Sequence, residues 1–496
     1  MNEFELKFDV SPSARRALMA LAALPGKPRR TRMRSIYFDT PAGDLEKNGM
    51  ALRLRREAGR WVQTLKAGAG GTGGVHSRGE WEFGRRGPTL DTSLLAGTPF
   101  ASLGSEVAAQ LAPRFEVLFT REAWNVEPAA GSKLEVALDL GAVHAGTREH
   151  PIAEVEIECL EGAPAQAFEL AGRLMAHVEL RASRVSKAER GYRLLRGERA
   201  KPVKARKLRL DASLTPADAA RAIVGAGLDQ LLENDAGLET SSDPEYVHQA
   251  RVAMRRMRSA LRMFRREIGL TRAKAWRGTF GETSRALGHS RDWDVFALHT
   301  LPAALEAYGD AALAASLRRK VARRRRHERQ AAREALRSPN HAVAVLELSQ
   351  WLAHADPGED PPSLEALVDF AARVIRKRRK DLLAGALMLA TLTVEEQHRV
   401  RIDAKRLRYA LDALGSLFKP EPLETFSSTV EALQDALGDC NDAATATRLL
   451  AQLDAPQPFV DFARGWFGAR ARSDAALLEP IVADLTRRRG EWLRKA

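Results

Sequence analysis

The stretch HQARVAMRRMRSAL (residues 248–261) decides the fold of the C-terminal part of the chain, because the chain contains it twice. It recurs as HRVRIDAKRLRYAL at residues 398–411. A second segment, LGHSRD at 287–292, recurs as LGDCND at 437–442, so both pairs keep one offset along the chain. Two segments that hold the same spacing predict a duplicated structural unit.

Each copy predicts a helix with one apolar and one basic face, because apolar residues and cations both recur at steps of three and four. A solvated surface is the ordinary interpretation of a charged face, but solvated faces usually mix acids with bases. These faces carry few acids, so an anion that neutralises them is the favoured hypothesis. The candidate anion-binding residues are His248, Arg251, Arg255, Arg256, Arg258 and Arg262 in the first copy and His398, Arg401, Lys405, Arg406 and Arg408 in the second.

The composition also indicates an anionic partner. The 496 residues suffice for two or three domains, and the formal net charge of +14 suggests nucleic acid, an acidic membrane or polyphosphate. An aromatic content of 6% argues against single-stranded nucleic acid, which needs exposed rings for stacking. The two cysteines, Cys159 and Cys440, form no disulfide framework and no zinc motif, which fits a reducing setting.

No signal peptide or membrane span is expected. Residues 1–10 begin with alternating charges where a signal peptide would have a basic and then an apolar segment. The longest uncharged stretch, residues 382–394, is too short to cross a bilayer and is predicted to be a buried helix. We therefore expect a cytoplasmic protein.

The chain divides into a strand-rich half and a helical half. Residues 1 to about 195 show period-two alternation with glycine-containing turns, whereas the residues from about 215 onward are rich in alanine, leucine and arginine at helical spacing. Strands followed by helices predict separate domains. The predicted boundaries are a strand domain at 1–200, a basic linker at 201–214 and a helical domain at 215–496, with repeats at about 215–355 and about 360–496.

Several N-terminal strands alternate apolar residues with charges of a single sign. The acidic examples are Glu3 and Glu5, Glu80 and Glu82, and Glu154, Glu156 and Glu158, and the basic example is Arg53 and Arg55. Such strands leave two options, an open sheet with a solvated charged face or a closed tunnel with the charges inside. Charges inside are costly unless they are paired or bind ions. Carboxylates suit divalent cations and arginines suit phosphate oxygens, so a tunnel of this kind fits metal-assisted phosphoanhydride hydrolysis.

The N-terminal motifs resemble those of the CYTH, or triphosphate tunnel metalloenzyme, family. In the family's order they are EFELK (3–7), SIYFDT (35–40), LRLR (52–55), TLK (64–66), RGEWE (78–82), EVEIE (154–158) and SKAERGY (186–192). The duplicated helical half resembles a CHAD domain, a pair of helical bundles that binds polyphosphate. The whole arrangement is similar to that of bacterial inorganic triphosphatases.

The resemblance implies a multi-domain α+β fold. It comprises an antiparallel eight-stranded β tunnel with flanking helices, followed by duplicated all-α helical bundles. The implied ligands of Mg²⁺ or Mn²⁺ are Glu3, Glu5, Asp139, Glu154, Glu156 and Glu158. The implied triphosphate-binding residues are Lys7, Arg53, Arg55, Lys66, Arg121 and Lys187, and the implied catalytic residues are Glu3, Glu5, Lys7 and Glu156. Glu80 and Glu82 are expected to orient basic neighbours by ion pairs.

The function that follows from this resemblance is metal-dependent hydrolysis of inorganic triphosphate to diphosphate and phosphate, with a C-terminal module that binds inorganic polyphosphate. The alternative is a polyphosphate-binding or granule-targeting protein with little or no tunnel activity. Adenylate cyclase and thiamine-triphosphatase activities also occur among CYTH proteins and stay open. Nucleic-acid binding would explain the charge but not the acidic strands, and no membrane partner is expected.

Overall fold

A computed structural model of the protein describes residues 2–11, 14–21, 23–68, 71–198, 200–354, 365–475 and 478–488. The chain forms two compact units. The first unit comprises Met1–Pro202, Asp235–Gly237 and Arg337–Ala355, and the second comprises Val203–Asn234, Leu238–Leu336 and Asp356–Ala496.

The first unit is built on antiparallel strands. They are β1 (Asn2–Asp9), β2 (Arg29–Asp39), β3 (Met50–Glu57), β4 (Arg60–Ala67), β5 (Val75–Arg85), β6 (Ala112–Val126), β7 (Lys133–Ala145), β8 (Arg148–Glu161) and β9 (Arg181–Ala182). The sheet order is β5-β4-β3-β2-β6-β7-β8-β1-β9, and an additional pairing of β1 with β5 closes the first eight strands into a ring. The predicted fold class is confirmed. The short ninth strand, which pairs with β1, was not predicted.

Seventeen helices accompany the strands in the described part of the chain. Those of the first unit are α1 (Ala14–Met19), α2 (Asp44–Lys47), α3 (Gly104–Ala109), α4 (Ala165–Met175), α5 (Lys187–Leu195) and α12 (Pro339–Ala353). The others are α6 (Pro216–Thr240), α7 (Pro244–Met263), α8 (Arg265–Ile268), α9 (Leu270–Val295), α10 (Leu301–Tyr308), α11 (Ala311–Arg337), α13 (Leu367–Ala386), α14 (Val394–Leu414), α15 (Pro420–Leu450), α16 (Gln457–Ala475) and α17 (Leu478–Arg487). None of these helices carries an apolar window long enough to span a membrane.

Helix α12 belongs to the first unit, although its residues fall within the first predicted repeat, at about 215–355. It packs against α4, and its Leu346 joins the apolar cluster that includes Phe168 of α4 and Ile157 of β8. The hydroxyl of Ser349 donates a hydrogen bond to the carbonyl of Gly73 at 2.6 Å. The compact division therefore assigns residues 337–355 to the strand-rich part, whereas the repeat boundary at about residue 355 stays a prediction.

The two copies of the repeated sequence lie in α7 and α14. Their apolar residues are buried, among them Met254 and Leu261 in α7 and Ala404 and Leu407 in α14, so the predicted amphipathic helices are confirmed. Helix α7 packs against α9, α14 packs against α15, and α7 also contacts α14. Each repeated helix thus packs against a helix that contains the second repeated segment.

The uncharged stretch at residues 382–394 is not the buried helix that the sequence predicted. It covers the end of α13, a 3₁₀ turn at Leu389–Thr391 and the start of α14. The capping box of Thr393 and Glu396 begins a new helix there, because it satisfies free backbone N–H groups at a helix start. Leu387 and Met388 are 61% and 53% exposed as a result of this break.

Asp39, at the end of β2, anchors α2 and α5 to the ring. Its buried carboxylate accepts hydrogen bonds from the backbone N–H groups of Thr40, Leu45 and Glu46 at 2.7, 2.9 and 3.1 Å, and from the Tyr192 hydroxyl at 2.9 Å. Burial and the nearby Asp39 carboxylate raise the pKa of Tyr192, so the phenol stays a donor.

We expect Asp39→Ala to lower the free energy of unfolding of the first unit by about 3 kcal/mol, because three N–H donors and the phenol lose their acceptor. Tyr192→Phe should cost about 1 kcal/mol, since it removes one bond. Hydrogen exchange of amides in the ring measures both effects. Glu106→Ala, on the exposed surface of α3, is the control, and a loss there as large as that of Asp39→Ala would contradict the anchoring role.

Candidate functional site

The closed ring surrounds a cavity of about 190 Å³ lined mainly by charged side chains. The sequence-predicted residues that line it are Glu5, Lys7, Arg53, Arg55, Lys66, Arg121, Glu156, Glu158 and Lys187. They come from the five strands β1, β3, β4, β6 and β8 and from the first residue of α5. The charged faces of these strands therefore point inward, which is the second of the two options left by the sequence.

Strand register sets the order of charges along one wall of the cavity. Glu5 of β1 stands opposite Glu158 of β8 and opposite His76 of β5, whereas Lys7 stands opposite Glu156. Directly opposed residues of antiparallel strands share a face, with their Cβ atoms about 5 Å apart. A carboxylate pair thus lies at one level, and a lysine–glutamate pair lies at the next level along the tunnel.

Lys187 is the centre of a buried ion-pair network that includes Glu156 of this wall. Its ammonium lies 2.7 Å from Asp139 and 2.8 Å from Glu156, and it also contacts Glu154. Burial alone would lower the pKa of Lys187, but these three carboxylates raise it well above its ordinary value. The Ser186 hydroxyl caps α5 by accepting from the Glu189 N–H, which fixes the backbone that carries Lys187.

Two more cations neutralise the same acids. The ammonium of Lys7 lies 3.0 Å from Glu154 and 3.1 Å from Glu156. Arg121 makes a bidentate pair with Asp139, at 2.8 and 2.7 Å, and also contacts Glu156. Burial would raise the pKa of Glu156, but the three cations hold it well below its ordinary value, so this carboxylate stays ionised.

The predicted metal ligands therefore fall into three groups. Glu5, Glu156 and Glu158 face the cavity. Asp139 and Glu154 are fully buried and do not line it. Oxygens of Asp139, Glu154 and Glu156 lie within 4.8 Å of one another, close enough to share one cation, and the Lys187 ammonium contacts all three. Glu3 belongs to β1, but its side chain lies outside the described part of the chain, so its role stays a prediction.

The opposite wall carries basic residues whose partners are Glu80 and Glu82, as the sequence predicted. Glu80 lies 3.7 Å from Arg53 and 3.3 Å from Lys66. Glu82 lies 3.2 Å from Arg55. Burial lowers the pKa of Arg55, and the neighbouring Arg53 lowers it further, so an additional anion here would relieve repulsion between the two guanidinium groups.

Sequence reasoning missed several residues that line the cavity, namely Tyr37, His76, Phe119 and Ser186. A ring nitrogen of His76 lies 3.1 Å from the carbonyl oxygen of Ser183. The sequence could have indicated His76, because it lies an even number of residues from Glu80 and Glu82 on β5 and so shares their strand face. The ammonium of Lys187 lies 5.1 Å from the ring centroid of Phe119, a cation–π contact.

In the second unit, the basic faces of the two repeats face each other. Burial lowers the pKa of Arg255, and Arg251, Arg401 and Arg408 lower it further. Burial also lowers the pKa of Lys405 to about 7, with further contributions from Arg401, Arg255 and Arg251. Cations that depress one another's pKa values across α7 and α14 form one shared cluster of positive charge.

Acceptors on α9 hold one member of this cluster in place. Arg251 donates to the Gly288 carbonyl at 3.0 Å and to Asp292 at 3.2 Å. A Cβ atom on Gly288 would lie 3.4 Å from Arg251, and one on Gly438 would lie 3.9 Å from Arg401. In both repeats the glycine of the LG segment therefore lies beside an arginine of the preceding repeated helix, at ordinary contact distance.

The other predicted anion-binding residues lie in different surroundings. Burial lowers the pKa of Arg262 to about 10, and Arg277, Arg406, Arg378 and Arg258 lower it further. Burial and Arg291 lower the pKa of His248, whereas the His398 side chain is exposed. Three cations have acids beside them that the sequence did not associate with them: Arg406 with Asp403, Arg408 with Glu431, and Arg256 with Asp412.

A closed tunnel of antiparallel strands lined by cations and carboxylates, followed by a duplicated helical unit with a shared basic cluster, defines a two-domain class of protein. Residues 1–192 match the CYTH domain family and residues 222–451 match the CHAD domain family. The chain belongs to both families, with a CYTH domain followed by a CHAD domain.

Three relatives illustrate the similarity. An inorganic triphosphatase of Haemophilus influenzae is 37% identical over 161 residues, which cover 32% of this chain and 44% of that protein. The match thus spans less than half of that relative's length. An uncharacterised protein of Mycobacterium tuberculosis is 27% identical and matches 91% of this chain and 88% of its own. The crystal structure of the CHAD domain from Ricinus communis is 32% identical, with a TM-score of 0.51, and covers 58% of this chain and 96% of its own.

Proposed function

We propose that the CYTH domain hydrolyses inorganic triphosphate to diphosphate and phosphate with Mg²⁺ or Mn²⁺, and that the CHAD domain binds inorganic polyphosphate. The observation that carries the proposal is the cavity, where carboxylates on one wall face arginines and a lysine on the other within 190 Å³. Similarity to the Haemophilus triphosphatase supports the same reaction.

The carboxylates that reach the cavity fit a divalent ion, because Mg²⁺ and Mn²⁺ prefer oxygen ligands. Glu5, Glu156 and Glu158 would hold the ion, together with Glu3. A bound ion supplies neutralisation of phosphate charge and a coordinated water of lowered pKa. Asp139 and Glu154 act differently in this proposal, since they position the cations beside the substrate.

The basic residues grip and orient the substrate. Arg53 and Arg55 can each meet two phosphate oxygens at once, and Lys66 adds a point charge beside them. Lys7 and Lys187 stay protonated because their pKa values are raised, so they stabilise charge on the transferred phosphoryl group. A glutamate of the cavity takes the proton of the attacking water.

Release of phosphate tests the proposal. The purified full chain is incubated with Mg²⁺ or Mn²⁺ and with inorganic triphosphate, ATP, thiamine triphosphate or long-chain polyphosphate. We expect triphosphate to be hydrolysed fastest. A preference for ATP or thiamine triphosphate would assign the tunnel to an organic substrate. Failure to release phosphate from any of the four, with polyphosphate still bound, would leave a polyphosphate-binding protein with a silent tunnel.

We expect long-chain polyphosphate to bind more weakly as the pH rises from about 7 to about 9. The pKa of Lys405 lies at about 7, and a bound anion favours the protonated amine, so binding above this pH takes up a proton. The affinity should fall by up to about tenfold for each pH unit. The other charged groups that face Lys405 are Arg251, Arg255, Arg401 and Asp442.

The matched variant for this prediction is Lys405→Arg, because a guanidinium stays protonated throughout the range. Fluorescence anisotropy with labelled polyphosphate, in EDTA, should give a flattened pH profile for this variant. An unchanged slope would assign the pH dependence to another group and contradict the role of Lys405.

A further inference from the structure

The outer side of the CYTH ring carries a basic strand edge that the tunnel chemistry does not use. Strand β2 pairs with β6 along Arg29–Asp39, but β3 pairs only with its second part, Arg34–Phe38. The backbone of residues 29–33 is therefore paired on one side only, and within the described residues no strand covers the other side. Five residues give a free edge of about 17 Å at the usual rise of a strand.

Arginines alternate along this edge. Arg30, Arg32 and Arg34 are exposed, and the intervening residues Thr31 and Met33 point to the other face. On β6 the residues paired with these three arginines are, in the same order, Glu122, Thr120 and Leu118. Thr120 and Leu118 alternate along β6 with Phe119 and Arg121, which line the tunnel. The arginines therefore lie on the outer face of the ring, directed away from the cavity.

The positive charge on this face is only partly balanced. Arg34 makes a bidentate pair with Glu116, at 3.1 and 2.7 Å, and Arg30 lies 3.8 Å from Glu122. Arg32 and Arg56 are exposed and have no carboxylate partner among the described residues. Arg56 of β3 stands directly opposite Arg34, a pairing of like charges that costs stability unless an anion neutralises it.

A groove of about 740 Å³ lies along this edge, and its lining includes residues of both faces, among them Met33 and Leu118. It is lined by Arg30, Arg32, Arg34 and Arg56, and its floor includes Leu118, which is 40% exposed, and Leu140. We call this surface the β2-edge groove. It combines unpaired backbone groups, alternating cations and an apolar floor.

We propose that the β2-edge groove binds an extended acidic segment of another polypeptide, which adds as a strand beside residues 29–33. Backbone hydrogen bonds to a free edge supply affinity, and side chains at every second position supply specificity. Acidic residues at alternate positions would face Arg30, Arg32 and Arg56. A second copy of β2 is disfavoured as the occupant, because its arginines would oppose those of the first.

An inorganic polyphosphate chain would use only part of this surface. It has no backbone N–H or C=O groups to pair with the strand edge, and it gains nothing from the apolar floor. An acidic peptide uses the strand edge, the arginines and the apolar floor. The observations therefore favour the peptide over the phosphate polymer.

The test uses the full chain and a fluorescein-labelled heptapeptide of alternating glutamate and valine with blocked ends. A second peptide of equal charge carries proline at its central valine, because proline lacks the N–H donor that strand pairing needs. At physiological ionic strength we expect the first peptide to bind at least about tenfold more tightly than the second. Equal binding of the two peptides would overturn strand addition.

Two charge-reversed double variants locate the site. Arg32→Glu with Arg56→Glu should weaken binding of the first peptide by about tenfold or more. Arg318→Glu with Arg319→Glu, on the exposed surface of α11, makes the same change of net charge and should leave binding unchanged. An equal loss in both variants would show attraction to overall charge and would overturn the proposal.

Two further measurements test whether the groove variant is folded and whether the groove binds polyphosphate instead of a peptide. Hydrogen exchange in β6 and β7 establishes that the groove variant is folded, and Arg32→Gln with Arg56→Gln replaces it if exchange is faster. Long-chain polyphosphate is titrated against the same proteins. If its affinity falls with the groove variant and the peptide fails to compete, the groove binds phosphate polymer, and the peptide proposal is overturned.

Discussion

Lys187→Met is expected to destabilise the CYTH domain by about 3–5 kcal/mol, the usual cost of removing one partner from a buried ion network. Asp139, Glu154 and Glu156 are matched in the wild-type protein by Lys187, Lys7 and Arg121. Methionine keeps an unbranched apolar side chain but removes the ammonium that contacts all three acids. Lys7 and Arg121 remain beside them, and Arg190 remains 3.7 Å from Glu154. Hydrogen exchange of amides in β7 and β8, measured in EDTA, reports the loss for this domain alone.

The double variant Lys187→Met with Asp139→Asn is the matched control. It removes one acid together with the cation, so it should recover part of the lost stability although it contains one more substitution. The free energy of unfolding of Asp139→Asn alone is measured as well. If Asp139→Asn destabilises Lys187→Met as much as it destabilises the wild type, the explanation by charge neutralisation is contradicted.

The pH dependence of this effect follows from the direction of the pKa shifts. The pKa of Glu156 is held well below its ordinary value in the folded protein, so its contribution to stability is present above the unfolded pKa and is lost as the pH falls through the folded pKa. Without Lys187 the carboxylates bind protons more readily. The deficit of Lys187→Met relative to the wild type should therefore shrink as the pH is lowered from about 7 towards about 4.

Under the proposed function, Glu5→Gln is expected to lower kcat for triphosphate hydrolysis by at least about 10²–10³-fold, because it would remove a proposed negative ligand of the metal from the carboxylate pair with Glu158. The amide keeps the shape of the side chain, so the fold should be unchanged. Titration of Mn²⁺ followed by its paramagnetic resonance signal should show weaker binding. This readout separates a metal-binding role from a role in binding the substrate alone.

Glu149→Gln is the control for this prediction, because Glu149 lies on β8 with a side chain that is 65% exposed. It should leave both Mn²⁺ affinity and kcat unchanged. Activity of Glu5→Gln within a factor of about two of the wild type would remove Glu5 from the metal site and would direct attention to Glu156 and Glu158.

The direction of side chains within each strand could be predicted from the sequence. Period-two alternation places the charged residues of each strand, such as Arg53 and Arg55, on one face, because the pleat fixes side-chain direction residue by residue. Alternation left open whether these faces meet in one interior. The register between distant strands is not local. That Lys7 stands opposite Glu156, and that Lys187 reaches the same acids from α5, depends on contacts between residues far apart in the chain. Asp139 and Glu154 therefore resembled cavity residues in sequence but are buried beneath the cavity.

The helical half shows the same limit. Spacing alone predicted the basic faces of α7 and α14, but not that these faces lie together. The acids beside Arg408 and Arg256 are Glu431 of α15 and Asp412, which spacing did not associate with those arginines. Helical periodicity also does not predict which part of the protein an apolar face packs against. Nothing in residues 339–353 therefore indicated that α12 packs on the strand-rich unit.

Because α12 lies far along the chain from the strands it packs with, the core of the first unit is completed long after those strands have been synthesised. All the ring strands have left the ribosome soon after residue 200 is added, yet the apolar cluster around Phe168 receives Leu346 only after residues 339–353 have emerged. Until then an apolar surface stays open, which is the kind of surface that chaperones bind and that favours aggregation. A recombinant fragment that ends at residue 200 would keep that surface exposed permanently. We therefore expect the CYTH domain to be more soluble when α12 is supplied, either through a shortened connection or as a separate chain, than when it is absent.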